Sequence, residues 1–371
     1  MGRIPVESIT GRTVTVDGRE LLAFAGCNYL GLANHPRVVG AVERALRSHG
    51  ISTTASRETT GNTLVHEALE RELAEFLGQE AAILSAEGYT ANFAVAQALS
   101  SSYAGGEHAV ALIDAKSHRS IRNASLAAGL RVLDYAHRDT ADLAELSARH
   151  GSAGVAVFTD GVFAADGAVA PIARLLEAMP RTRSTLVIDD CHGFCVLGKG
   201  AGSIVEQGVR DPRLCMTTTL AKGLGCYGGC VAGPRDLIQA VRERASVYRG
   251  HTPVPPAIAA GAREALRVVR EEPQWLERLW ANTHALRAGL EGLGLIPRLG
   301  PGERAMPIFT FVVSPTTRMD EVHRRVLEAG VLAPLIEYPG GPAPRFFRVT
   351  VSAAHEAADV TRLLETLERC L

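Results

Sequence analysis

Two stretches hold the residues that could do chemistry. In Thr217-Thr-Thr-Leu-Ala-Lys-Gly-Leu-Gly-Cys-Tyr-Gly-Gly229 a single amine, Lys222, stands among Gly223, Gly225, Gly228, Gly229 and, shortly after, Gly233. Glycine lets backbone approach a ligand closely, so this composition suits a lysine on a loop beside a bound molecule. The hydroxyls of Thr217, Thr218 and Thr219 precede it, and Thr219 is placed to donate to an anion next to the amine, a phosphate being the obvious candidate. A solvated lysine in a glycine-rich turn fits this stretch alone equally well. The second stretch, Ser184-Thr-Leu-Val-Ile-Asp-Asp-Cys-His-Gly193, is a short apolar run that stops in charge. Such a run reads as a buried parallel strand whose carboxyl end opens on a crevice, where open α/β sheets hold ligands. Asp189 is then a carboxylate out of water and requires a cationic partner. A metal site or a helix cap is the other use of two adjacent acids at a strand end.

An amine able to form a Schiff base, a carboxylate able to pair with a pyridinium nitrogen and a cradle for phosphate together describe a pyridoxal 5′-phosphate site. Further motifs follow in order along the chain: Asn28-Tyr-Leu-Gly-Leu32, residues 61–77 with His66, Gly88-Tyr-Thr-Ala-Asn92, residues 114–118, Thr159-Asp-Gly-Val-Phe163, Asp189-Asp-Cys-His192, Lys222 and Ser352-Ala-Ala-His-Glu356. In order and spacing, over nearly the whole chain, they resemble the α-oxoamine synthases, pyridoxal phosphate enzymes of fold type I. The resemblance implies that Lys222 carries the cofactor and takes the substrate Cα proton, and that Asp189 keeps the pyridine nitrogen protonated. It also implies that His118 stacks on the ring and that His192 donates to the 3′-oxygen. Gly88 and Tyr89, opening a helix after a strand, would hold the phosphate on backbone N–H groups. Asp160 and Thr219 complete the cofactor contacts. Thr252 would reach the phosphate of the neighbouring subunit, making a homodimer with shared active sites. Cys27, Asn28 and Arg348 fall to the substrate, Arg348 pairing with an amino acid carboxylate through its fork geometry.

The implied reaction condenses an amino acid with an acyl thioester, carried on coenzyme A or an acyl carrier protein, with loss of carbon dioxide. Another fold-type-I outcome, a decarboxylase, aldolase or aminotransferase, uses the same cofactor site. A non-catalytic subunit is a third reading, which Lys222, Asp189 and His192 together speak against. The chain departs from the family pattern at Cys27, at Ala164 in place of a serine that contacts the cofactor, in residues 53–61, and at Glu337-Tyr-Pro339 where biotin-pathway members have Arg-Pro-Pro. An acid at position 337 would repel a dicarboxylic acyl tail, so a neutral acyl donor is expected.

The elements that must position these residues follow from pattern. Strand-like runs at 81–85, 109–114, 154–159, 186–189 and 230–232 alternate with helical patterns, which implies βαβ units and a mostly parallel sheet with helices on both faces. Leu69, Leu73, Phe76 and Leu77 recur at helical spacing. After about residue 250, long helices at 257–270 and 274–293, strands at 308–313 and 347–351 and a last helix at 357–369 read as a smaller α+β domain. The expected division is an arm to residue 45 with a polar hairpin at 11–18 and a helix at 36–48, a large cofactor domain at 46–250 and the small domain at 251–371. With 371 residues, 46% hydrophobic and 21% charged, the chain has enough apolar material for both. A net charge of −1 gives no reason to expect nucleic acid or a membrane surface as partner. The first residues lack the apolar core of a signal peptide, and seven scattered cysteines fit free thiols in a reducing compartment, so a cytoplasmic location is expected. The spacings Cys191/Cys195 and Cys226/Cys230 would admit zinc, but both pairs fall inside the cofactor motifs, so no metal is expected.

Overall fold

In the computed structural model residues 5–104 and 106–371 are described, so most of the N-terminal stretch read for a signal peptide lies outside them. Contacts divide the chain into two units: residues up to His35 with Ala164–Ala168 and Val269–Leu371, and Pro36–Phe163 with Val169–Val268. The first unit opens on β1 (Ser8–Ile9), β2 (Thr13–Val16) and β3 (Arg19–Ala23), an antiparallel meander. The β2–β3 hairpin turns on Asp17 and Gly18, both with positive φ, 50° and 69°, the backbone that a two-residue hairpin favours.

The second unit is built on a seven-stranded sheet. Its strands are β4 (Ala81–Ser85), β5 (Val110–Asp114), β6 (Arg131–Tyr135), β7 (Val155–Asp160), β8 (Ser184–Asp189), β9 (Leu214–Thr219) and β10 (Gly229–Gly233), in the order β4-β10-β9-β8-β7-β5-β6. Only β10 runs against its neighbours, so the sheet is mostly parallel, as the alternating pattern implied. Along the central strands Ala111, Ile113, Ala156, Phe158, Val187 and Val231 pack into the same core as Ala91 and Val95 of helix Gly88–Leu99. The alternate residues Leu112, Val157, Leu186 and Ile188 are fully buried as well. Burial on both faces is why these strands read as continuous apolar runs instead of alternating ones.

The remaining strands, β11 (Ile308–Phe311), β12 (Val331–Leu332), β13 (Leu335–Ile336) and β14 (Phe346–Thr350), belong to the first unit. There β12 pairs in parallel with β3, and β11-β14-β13 form a separate small sheet. The N-terminal arm thus shares a core with the C-terminal residues: Leu22 and Phe24 lie in one cluster with Phe309, Phe347, Val322 and Leu363. Helices Pro36–His49 and most of Pro256–Glu271, assigned by pattern to the arm and the small domain, belong to the larger unit. They pack on each other there. A Cβ on Gly261 would lie 2.6 Å from Val42, Arg37 Nε donates to Glu264 at 2.8 Å, and Arg263 pairs with Glu72.

Candidate active site

In the larger unit the chemistry gathers at the carboxyl ends of parallel strands. β4 leads to Gly88, β5 to His118, β7 ends on Asp160, β8 on Asp189, and β9 leads to Lys222. The chain leaves β5 for β6 on one side and returns to β7 on the other, so His118 and Asp160 flank the switch point where such sheets bind ligands. Register places Asp160 beside Asp189 and Asp189 beside Thr217.

Asp189 is 6% exposed. Its Oδ2 accepts from Asn92 Nδ2 at 2.7 Å and its Oδ1 from the Cys191 backbone N–H at 3.2 Å. Asn92, fully buried in helix Gly88–Leu99, also donates to Ser120 Oγ at 2.9 Å and accepts from Thr217 Oγ1 at 2.7 Å. Ser120 Oγ lies 2.7 Å from His118 Nδ1, which accepts the Ser120 backbone N–H at 3.3 Å. An accepting Nδ1 leaves the proton on Nε2, and burial pushes the His118 pKa down toward the neutral imidazole. Asn92 and Ser120 therefore join the acid to the histidine, and Thr217 holds the Asn92 amide from its other side. None was assigned a role from sequence, although an Asn inside the apolar stretch Ala91–Leu99 is a signal, since a buried amide demands partners.

Asp160 accepts the His118 backbone N–H at 3.0 Å and so holds that loop. Burial and then the neighbouring Asp189 raise its pKa well above the usual carboxylate range, while Lys222 opposes the rise. The Lys222 charge also acts on His118 and on Cys191, whose thiol burial keeps protonated. Lys222 is half-buried on a loop, closed by Gly225 N–H donating to its own carbonyl at 2.9 Å. His192 is buried, 6% exposed.

The turn before helix Gly88–Leu99 touches the lysine loop directly. A Cβ on Gly88 would fall 2.8 Å from Thr219 Cβ and 3.3 Å from Cys191 Sγ. Tyr89 accepts from Asn123 Nδ2 at 2.7 Å and meets the His118 ring edge-on at 6.3 Å. Thr219 differs from expectation. Its hydroxyl donates inward to the Gly228 carbonyl at 3.1 Å and accepts the Ala221 N–H at 3.1 Å, so it closes the lysine loop instead of offering a proton to an anion.

Thr252 is exposed on the same unit, and the segment after it is tied down by His66 Nε2, 2.6 Å from the Val254 carbonyl. Cys27, Asn28 and Arg348 belong to the smaller unit. There Asn28 Oδ1 accepts the Ala33 N–H at 3.3 Å, the Asn28 carbonyl accepts from Ser352 Oγ at 2.8 Å, and half-buried Arg348 donates through Nε to the Ala164 carbonyl at 3.0 Å. Glu337 is exposed, with Arg345 Nε 3.9 Å from its carboxylate. Its charge is solvated and partly compensated, which removes the ground for expecting it to repel an acyl tail.

The aminotransferase class I and II family matches residues 19–367. An 8-amino-7-oxononanoate synthase of Methylococcus capsulatus is 38% identical over 98% of this chain and 92% of its own length. The serine palmitoyltransferase of Sphingomonas wittichii superposes with a TM-score of 0.91 at 26% identity, over 99% of this chain and 91% of that one. A serine palmitoyltransferase solved with its pyridoxal phosphate superposes equally well at 25% identity, over 99% and 92%. The chain belongs to the aminotransferase class I and II family, among its α-oxoamine synthases. It is a pyridoxal-phosphate-dependent acyltransferase. Among the described residues no helix is long and apolar enough to cross a membrane.

Proposed function

We propose that this α-oxoamine synthase joins alanine to the thioester of a seven-carbon dicarboxylic acid, releasing carbon dioxide, the thiol and 8-amino-7-oxononanoate. The observation that carries the reading is the 38% identity over nearly the full chain to an enzyme named for that product. Its structure divides at the bond between carbons 7 and 8. One side is an acyl chain with a distal carboxylate, the other an alanine less its carboxyl group.

The residues fit the cofactor. Asp189 is a buried carboxylate fixed by Asn92 and the Cys191 N–H, suited to a pyridinium nitrogen. Gly88 sits where a side chain would collide with Thr219 and Cys191, so the phosphate turn stays open. When bound, the cofactor supplies an electron sink for the charge left on Cα. Lys222 would hold it, and the freed amine would take the Cα proton. Asp189 would hold the proton on the ring nitrogen, and His118, fixed as its Nε2–H form, would keep water from the ring face. Arg348 would pair with the amino acid carboxylate.

Two copies would complete each site, Thr252 reaching the neighbour. The exposure of Ile51 (81%) and Leu64 (83%) in the same unit supports a covered face there. Seven free cysteines support a reducing, cytoplasmic setting. A second reading, a neutral acyl chain or one delivered on a carrier protein, draws support from Cys27 and Ala164, where the chain departs from its family. Thiol release measured with pimeloyl, acetyl and octanoyl thioesters against alanine, glycine and serine separates them. The pair pimeloyl and alanine should turn over fastest; a clear preference for octanoyl or acetyl would overturn the first reading.

A further inference from the structure

Next to Asp189 stands a second acid, Asp190, which the reaction does not use and which is 0% exposed. Three backbone segments close around its carboxylate. A Cβ added to Gly161, at the end of β7, would lie 2.3 Å from Oδ1; one added to Gly193, in the loop after β8, would lie 2.1 Å from Oδ1. One added to Gly202, at φ +98°, would lie 2.2 Å from Oδ2. Only glycine fits any of the three positions. Within this space Oδ2 accepts the Ser203 N–H at 2.6 Å. The Asp190 backbone N–H donates to the Thr217 carbonyl at 2.8 Å, and its carbonyl accepts from Gly193 at 3.1 Å and Phe194 at 2.9 Å. Gly161 in turn donates to the Asp189 carbonyl at 2.7 Å.

We propose that Asp190 is a positioning residue for the cofactor: its carboxylate, held among three glycines, sets the path of the segment that carries Asp189 on one side and His192 on the other. The loop from Asp190 to Gly202 has little regular structure of its own, and the carboxylate lies against Gly193 near its start, Gly202 at its end and Gly161 after strand β7. Burial pushes its pKa up to about 6, so ionisation at neutral pH opposes folding. An apolar residue would pack there without that penalty, which sets Asp190 apart from ordinary core. The role rests on reading Asp189 and His192 as cofactor contacts.

The test is equilibrium binding of pyridoxal 5′-phosphate to the purified apo chain, followed by absorbance, with circular dichroism of each variant. Asp190→Ala should keep its secondary structure and bind about tenfold or more weakly, the scale on which groups supporting a binding site act. Asp190→Asn keeps the shape and the acceptor for Ser203, and should return affinity to within about threefold of the parent. Gly193→Ala, which displaces the carboxylate without removing it, should weaken binding as Asp190→Ala does and covers the case in which Asp190→Ala fails to fold. Parental affinity in Asp190→Ala or Gly193→Ala, or equal loss in Asp190→Asn and Asp190→Ala, overturns the proposal. A parent chain that does not bind the cofactor at all overturns the functional reading and this role with it.

Discussion

Replacing Asn92 with leucine tests whether the bonds joining Asp189 to His118 matter to the site. Leucine keeps the γ-branched shape, though it is larger, and is a better helix former, so helix Gly88–Leu99 gains ~0.5 kcal/mol of propensity. Against that, three contacts disappear: to Asp189 Oδ2 at 2.7 Å, to Ser120 Oγ at 2.9 Å and from Thr217 Oγ1 at 2.7 Å. A hydrogen bond to an ionised group contributes ~1.5–3 kcal/mol, and a buried hydroxyl left short of a partner loses ~1–3 kcal/mol. Thr217 is 0% and Ser120 1% exposed, so water cannot replace the amide for either. The apo chain should therefore lose about 3–5 kcal/mol in denaturant unfolding, the larger part of it from the two polar partners. Asp189 and the His118 ring would no longer share a fixed frame, and affinity for pyridoxal 5′-phosphate should drop by about tenfold to a hundredfold, ~1.4–2.7 kcal/mol. Both quantities come from one preparation, an unfolding curve of the apo protein and a cofactor titration. Lower stability with unchanged cofactor affinity would show that Asn92 only packs, and the argument that it orients the site would be wrong.

Two further outcomes follow. Gly88→Ala places a methyl 2.8 Å from Thr219 Cβ; helix content should hold while cofactor affinity falls by about tenfold, and a variant that binds like the parent would show that the turn has room to move. His108 is 5% exposed, and burial lowers its pKa from 6.5 to about 4. Between those values the folded chain binds fewer protons than the unfolded one, so stability is full above pH 6.5 and falls by ~3 kcal/mol as pH drops toward 4. Asp190, pushed up to about 6, acts in the opposite sense, so the comparison is between proteins and not along one curve. His108→Leu should lose less in melting temperature than the parent between pH 7.5 and 5, and parallel losses would refute the assignment.

The apolar runs of β4, β5, β7 and β8 were legible because a strand buried on both faces leaves no polar residue to interrupt it. Two strands of the seven-stranded sheet escaped notice for opposite reasons. β6 lies at the sheet edge, and Arg131 and Asp134 face solvent, which breaks the run. β9 ends in Thr217, Thr218 and Thr219, read as the approach to a loop, yet all three are buried because each hydroxyl finds a carbonyl or amide oxygen. Lys222 and Asp189 announced themselves by residue type and spacing, whereas His118 and Gly88 were singled out only through the resemblance to the α-oxoamine synthases. Asn92 signalled only that a buried amide needs partners, and Ser120 signalled nothing, since their roles exist only where a helix and a neighbouring loop meet.

The same limit applies to charge. Asp160 and Asp189 stand twenty-nine positions apart in sequence and side by side in the sheet, where two strands lie ~4.8 Å apart. Carboxylates that close cannot both ionise freely out of water, and burial together with Asp189 raises the Asp160 pKa. Lys222, arriving from the end of the next strand but one, opposes that rise. A cationic ring nitrogen at Asp189 would oppose it further, by neutralising the charge that Asp160 feels. Cofactor binding should then draw Asp160 toward its ionised form, strengthening the bond it accepts from the His118 N–H. On this reasoning the loop that carries His118 tightens when the cofactor binds, and slower amide exchange there on adding pyridoxal 5′-phosphate is the expected outcome.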